Sequence, residues 1–289
     1  MSIVEQACAK INLVLDVLGK RADGFHEVKM VMQSVDLCDV VRISASDGLR
    51  LIVTGADLPS DDSNIAVKAA KLMAHYAQKQ PDVLIELEKN IPLAAGLAGG
   101  SADAAAVLRG LNRLWQLNWS MDRLEKIAAE LGSDVPFCVQ GGTALATGRG
   151  EVLTRLPDCP EVIVVIAYPE LEVSTAWVYK NFARELVVKP PKVDVVLKAL
   201  EQEDLLTIID YLNNETGNVL ESVTVKAHPI VAEIKQTMLA AGAKASLMSG
   251  SGPSVFGLVG DQQTAQVVVD ALTDRFTVKT FIAKTRRLL

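Results

Sequence analysis

The sequence predicts two domains that each mix strands with helices, and three observations lead there. The chain has 289 residues, 49% of them hydrophobic, enough to fill more than one core. Its opening third is strand-like, with apolar residues alternating along the chain, whereas later segments switch repeatedly between helical and strand-like spacing. A fresh apolar strand, "EVIVVIAYP", begins just after Pro157 and Pro160, which puts the boundary near residue 158 and gives domains 1–158 and 159–289.

From Ala9 onward, Ile11, Leu13, Leu15 and Val17 share one face of a strand, and Lys10, Asn12, Val14 and Asp16 share the other. "KRADGFHEV" reads as a turn around Asp23 and Gly24, and strand-like residues follow through "VVRISA" and "LRLIV". "SNIAVKAAKLMAHYAQK" carries Ile65, Ala69, Leu72, Met73 and Tyr76 at helical spacing behind a Ser or Asn start signal. "DVLIELEKNIP" is a strand that runs into the glycine-rich stretch "IPLAAGLAGGSADAA". Beyond it, Ala104, Val107, Leu108, Leu111, Leu114 and Trp115 form a helical stripe, so the glycine loop joins a strand to a helix N-terminus. A second helix, "SMDRLEKIAAELG", starts at a Ser120 cap and stops at Gly132, with "SDVPF" immediately after. "GGTALATGRGEVLTRL" reads as a hairpin. The remainder alternates helices ("VDVVLKAL", "PIVAEIKQTMLAAG", "QTAQVVVDALTD") with strands ("ASLMSG", "SVFGLVG", "VKTFIAKT"), without a fixed-period repeat.

Composition narrows the function classes. With 35 acidic against 29 basic residues and no basic block, the chain repels polyanions, so nucleic acid is not expected as a partner. The greasiest run, "VIVVIAY", is far below membrane-spanning length, so no membrane insertion or export is expected. Cys8, Cys38, Cys138 and Cys159 lack CxxC spacing; they read as free packing thiols suited to a reducing cytoplasm.

The loop with Gly96, Gly99, Gly100 and Ser101 lacks a lysine after its last glycine and does not follow G-x-G-x-x-G, so it matches neither standard nucleotide fingerprint. Its small residues, hydroxyl and following helix suit a phosphate cradle, and equally a close strand–helix turn. A second cluster, "LMSGSGPSVFG", places Gly250 and Gly252 between two strands, as a second ligand loop or as a hairpin needing positive φ. Lys10 and Asn12 point together from one strand face; by type alone such a lysine is a solvated surface residue. Asp134 reads either as a helix cap or as a positioned carboxylate. With histidines only at 26, 75 and 228 and no G-x-S-x-G elbow, neither a metal cluster nor a serine triad is suggested.

Taken together, "AKINLVLDVLGKRADGFHEV", "IPLAAGLAGGSADAA", "LGSDVPF", "GGTALATGRGE" and "LMSGSGPSVFG" resemble the galactokinase, homoserine kinase, mevalonate kinase and phosphomevalonate kinase superfamily, in order and spacing across nearly the whole chain. "AKINL", "RADGFHE" and "GSDVPF" are similar to its branch that phosphorylates a cytidine-diphosphate-linked alcohol for isoprenoid synthesis outside the mevalonate route. The resemblance implies an α+β, two-domain small-molecule kinase with the active site in the cleft between domains. It implies ATP as co-substrate, Mg²⁺, and a small cytidine diphosphate-linked substrate. It also implies that Leu93, Ala94, Ala95, Gly96, Leu97, Ala98, Gly99, Gly100, Ser101, Ala102 and Asp103 wrap the ATP phosphates, with Ser101 the candidate metal ligand. Asp134 would accept the proton of the acceptor hydroxyl, while Lys10 would orient Asp134 and offset developing charge. Asn12 would hold the substrate, Phe25 and Tyr179 would sandwich the cytosine, and His26 would bond its edge. Gly250 and Gly252 would help close the site. Two departures stand out: Phe25 replaces the usual tyrosine, and Ala102 a frequent second serine. The alternatives are a superfamily kinase for mevalonate, phosphomevalonate or homoserine, and a catalytically silent nucleotide-binding relative.

Overall fold

A computed structural model describes residues 2–288. They form two compact units, each assembled from separated pieces of chain: Met1–Ala9, Leu37–Leu93 and Ala98–Gly141 make the first, and Lys10–Asp36, Ala94–Leu97 and Gly142–Leu289 the second. The units are thus interleaved along the chain. The reason is strand length. β1 (Ser2–Lys20) and β2 (His26–Ala45) are each long enough to serve two cores.

In the first unit, β3 (Arg50–Thr54) runs parallel to β4 (Val83–Glu88), and β4 runs antiparallel to the end of β2, with Val41 opposite Leu87 and Ile43 opposite Ile85. α1 (Ile65–Ala77) starts where the Asn64 side chain accepts from the Ala66 N–H at 2.9 Å. Its buried face is Ala66, Val67, Ala69, Ala70, Met73 and Ala74, so the small residues, rather than Leu72 and Tyr76, turn inward. α2 (Gly99–Leu114) buries Ala102 through Leu111; α3 (Met121–Ala128) is capped by Ser120, and α4 (Val135–Gln140) follows. A single guanidinium ties three of these pieces together. Arg109 on α2 donates to Glu5 on β1 at 3.0 Å and to the Cys138 and Val139 carbonyls on α4 at 2.8 and 3.2 Å.

Cys8 and Cys38 form a disulfide, which corrects the reading of all four cysteines as free thiols. The pair lies 30 positions apart in sequence, and only the fold brings their Cα atoms to 3.9 Å. Cys138 and Cys159 are buried thiols, as read.

In the second unit, β5 (Thr143–Thr147) and β6 (Val152–Arg155) make the expected hairpin, and β5 also pairs with the start of β2, Val31 opposite Leu145. A separate antiparallel sheet has the order β10-β7-β9-β8, built from β7 (Ile163–Tyr168), β8 (Ala245–Met248), β9 (Val255–Val259) and β10 (Lys279–Lys284). α5 (Thr175–Asn181), α6 (Val193–Glu201), α7 (Leu205–Asn214), α8 (Glu221–Ala227), α9 (Ile230–Ala240) and α10 (Gln262–Arg275) complete it. α6, α9 and α10 were legible from periodicity. α5 and α8 were not, because each is seven residues long and buries one side chain, Val178 or Thr224.

Candidate functional site

Within the second unit, β1 is buried on both faces from Lys10 to Val17, so its polar side is not a solvated side. Lys10 is 4% exposed and Asn12 fully buried, which overturns the surface-lysine reading. The Lys10 ammonium donates to Asn12 Oδ1 at 2.8 Å and to the Gly96 carbonyl at 3.3 Å, while its backbone N–H donates to the Leu97 carbonyl at 3.0 Å. Left unsatisfied, the buried Asn12 amide would cost about 1–3 kcal/mol and the buried Lys10 charge more, so these bonds are what permits a lysine here.

The second glycine loop comes to the same place. Ser249 donates to the Gly96 carbonyl at 3.0 Å. A Cβ on Gly96 would stand 2.3 Å from the Ser249 carbonyl oxygen, and one on Gly250 would stand 3.3 Å from Lys10 Nζ and 3.6 Å from Asn12 Oδ1. Both glycines have positive φ, so conformation and space demand glycine together. Asn218, absent from the sequence reading, holds this loop: its amide donates to the Met248 carbonyl at 2.9 Å and the Gly250 carbonyl at 2.8 Å. A lone asparagine in "TGNV" carries no spacing signal that could have identified it.

Also in the second unit, the His26 and Tyr179 rings lie 5.2 Å apart, tilted by 38°. Burial, and then the charge of Lys20, hold the His26 pKa below its ordinary value. Phe25 is 51% exposed, and its ring has the Arg149 guanidinium 4.9 Å from its centroid. Of the three predicted base-binding residues, Phe25 is exposed and His26 and Tyr179 are half-buried, and Phe25 is partnered by a cation that carries no signal in the sequence.

The first glycine loop has an alternating backbone: φ is positive at Ala94, Gly96 and Ala98, at 51°, 75° and 59°, and at none of the residues between. Backbone that alternates between right- and left-handed helical conformations turns successive N–H groups toward one concave side. Ala98 is the N-cap of α2 and offers no side-chain cap, so the first-turn N–H groups of Gly99, Gly100 and Ser101 have none from that residue. Leu93 is exposed, whereas Ala95, Leu97, Ala102 and Asp103 are buried.

In the first unit, Asp103 faces inward. Its Oδ2 accepts from Lys89 Nζ at 2.6 Å, and Lys89 also bonds Asp39. Asp39 Oδ1 in turn accepts the N–H groups of Asn90 at 2.6 Å and Ile91 at 2.8 Å, fixing the chain where it enters the loop. Burial pushes the Asp103 carboxyl up to about 7, with Lys89 opposing the rise and Asp39 adding to it. Asp134 sits at the N-cap position of α4 but makes no cap hydrogen bond, so the capping reading fails. Arg109 steadies the other end of that helix. Among the described residues no group of three or more His, Cys, Asp or Glu could hold a metal.

Comparison with known proteins extends this picture. The GHMP kinases N terminal domain matches residues 64–142 and the GHMP kinases C terminal domain residues 196–278. The chain is 50% identical over 275 residues to the 4-diphosphocytidyl-2-C-methyl-D-erythritol kinase of Geobacillus kaustophilus, covering 94% of this chain and 93% of that one. A crystal structure of 4-(cytidine 5'-diphospho)-2C-methyl-D-erythritol kinase superposes with a TM-score of 0.82 at 33% identity, covering 98% of this chain and 99% of the other. A homoserine kinase from Cytophaga hutchinsonii, 24% identical with a TM-score of 0.78 over 99% of this chain and 95% of its own, shares the fold.

Proposed function

The chain belongs to the 4-diphosphocytidyl-2-C-methyl-D-erythritol kinases among the GHMP kinases, and from that membership we propose how its residues divide the work. It is an ATP-dependent kinase that phosphorylates the C2 hydroxyl of 4-diphosphocytidyl-2-C-methyl-D-erythritol, on the non-mevalonate route to isoprenoid precursors. In this reading the stretch 1–158 supplies the loop from Leu93 to Asp103 and the stretch 159–289 the Gly250–Gly252 loop.

Backbone N–H groups of the first loop and of the α2 N-terminus take the ATP phosphates, favoured by the helix dipole. The uncapped first turn and the alternating φ of the loop support this. Asp134 accepts the proton as the C2 hydroxyl oxygen forms its bond to the γ-phosphorus; the bond to the β-phosphate oxygen breaks, and ADP leaves with that electron pair. Lys10 offsets the charge that develops on the phosphoryl oxygens, and Asn12 holds the erythritol part of the substrate. His26, kept neutral near pH 7 by its lowered pKa, has one ring donor and one ring acceptor for the cytosine edge, while Phe25 and Tyr179 supply stacking faces. Mg²⁺ bound with ATP would rest on phosphate oxygens and the Ser101 hydroxyl, neutralising charge there; a site with so few protein oxygens suits an ion that keeps its waters. The Cys8–Cys38 disulfide removes the thiol argument for a reducing compartment, so cytoplasmic action rests here on the soluble nucleotide substrates alone.

The observation that carries the reading is the convergence of Lys10, Asn12, Gly96 and Gly250, four residues from three separate motifs, within hydrogen-bond or van der Waals reach. ADP release from MgATP is the test, with 4-diphosphocytidyl-2-C-methyl-D-erythritol run beside mevalonate and homoserine. Turnover is expected with the first acceptor alone, and Asp134→Asn should lower kcat at least 100-fold while leaving MgATP binding intact. Turnover with another acceptor would discard the cytosine pocket. MgATP binding without any turnover would make the protein a silent relative.

A further inference from the structure

The geometry points to Arg149 as a positioning residue that holds the Phe25 ring flat for a pyrimidine, an inference that rests on the cytosine pocket of the proposed function. A phenyl ring that is 51% exposed and has no hydroxyl to anchor it retains rotamer freedom that stacking must remove. Here the freedom is already restricted from two sides. On the chain side, the Phe25 N–H donates to Asp23 Oδ1 at 3.1 Å, and Arg21 bridges Asp23 at 3.0 Å and Glu27 at 2.5 Å. On the ring side stands Arg149, 4.9 Å from the centroid.

Arg149 is itself fixed. Its backbone N–H donates to Glu151 Oε2 at 2.6 Å and its Nε to Glu151 Oε1 at 3.3 Å, so one carboxylate grips both ends of the residue. The turn that carries it, between β5 and β6, is joined to the start of β2 by Gly148 N–H to Glu27 Oε1 at 3.1 Å and Val28 N–H to the Gly148 carbonyl at 2.9 Å. Glu27 therefore links the turn bearing Phe25 with the turn bearing Arg149. A cation on one face of the phenyl ring leaves the opposite face as the one a base can use, and it sets that face before the base arrives. Because Arg149 acts through Phe25, its effect falls on affinity for the cytidylyl substrate and not on phosphoryl transfer.

The test is steady-state kinetics of the full chain with 4-diphosphocytidyl-2-C-methyl-D-erythritol and MgATP. Arg149→Ala should raise KM for the cytidylyl substrate about two- to fivefold, the factor an exposed cation–π contact represents, with kcat and the ATP KM unchanged. Arg149→Lys should recover part of the loss, and Arg149→Met, which keeps the stem without the charge, should not. In a Phe25→Leu background, Arg149→Ala should add nothing, since the ring through which it acts is gone. An unchanged KM in Arg149→Ala, a matching rise in the ATP KM, full function of Arg149→Met, or additivity with Phe25→Leu would each overturn the inference while leaving the kinase reading intact. Absence of any turnover of the cytidylyl substrate by the unmutated protein would overturn both.

Discussion

A buried carboxyl with a raised pKa makes folding stability depend on pH in a direction opposite to the usual salt-bridged aspartate. Asp103 has one oxygen on Lys89 and the other buried without a hydrogen-bond partner, and its carboxyl is pushed up to about 7 from 3.8. Between those values the folded chain retains a proton that the unfolded chain has released. The stabilising contribution is full below the unfolded pKa and is lost as pH rises through about 7. Asp103→Asn, which keeps the shape and loses the titration, should flatten the decline in melting temperature between pH 5 and 8 relative to the unmutated protein; parallel curves would remove Asp103 as its source. Lys10 teaches the complementary lesson about legibility. Alternation placed Lys10 and Asn12 on one strand face, and the structure agrees, but periodicity cannot tell a solvated face from one buried against other polar groups. That distinction lies in the carbonyl of Gly96, 86 residues away in sequence.

The first glycine loop is rigid for reasons that belong to the element and not to any one residue. Ala94 and Ala98 hold a left-handed conformation that costs non-glycine residues roughly 1–3 kcal/mol each, a strain that persists only when surroundings impose it. Here Asp39 fixes the entry of the loop, and Lys10 and Ser249 both bind the carbonyl at its middle. Gly96→Ala should therefore do more than a typical loop change: its Cβ would meet backbone oxygen, so the loop must open or the Ser249 turn must move. The expected outcome is a melting temperature several degrees lower and an ATP KM raised about tenfold or more, checked by calorimetry and initial rates. A protein unchanged in both would show that the loop does not depend on this approach. The loop and its strand-to-helix context are legible in the sequence, because glycine spacing and a helical stripe are local signals. Asn218, Arg109, Lys89 and Asp39 are not, because their roles come from partners distant in sequence.

For the whole molecule, the mixed strand and helix architecture and its membership among the GHMP kinases were both readable, since each rests on patterns that recur through most of the chain. The interleaving of the two units was not, because nothing in a strand's composition announces that it serves one core first and another afterward. That threading decides what any shortened gene would make. No single cut yields either unit: a fragment ending at residue 158 retains all of the first unit but also carries residues 10–36, 94–97 and 142–158 of the second. Those orphaned pieces include Ile11, Leu13, Leu15, Val17 and Val31, all buried in the intact chain. Such a fragment should bind a hydrophobic dye strongly and associate in sedimentation, and a dye-silent monomer would show that those side chains find other cover. For a ribosome the same arithmetic means that residues 10–36 wait, apolar and unfinished, until the chain beyond residue 142 has emerged. Neither unit could be carried to another protein as one continuous stretch of gene.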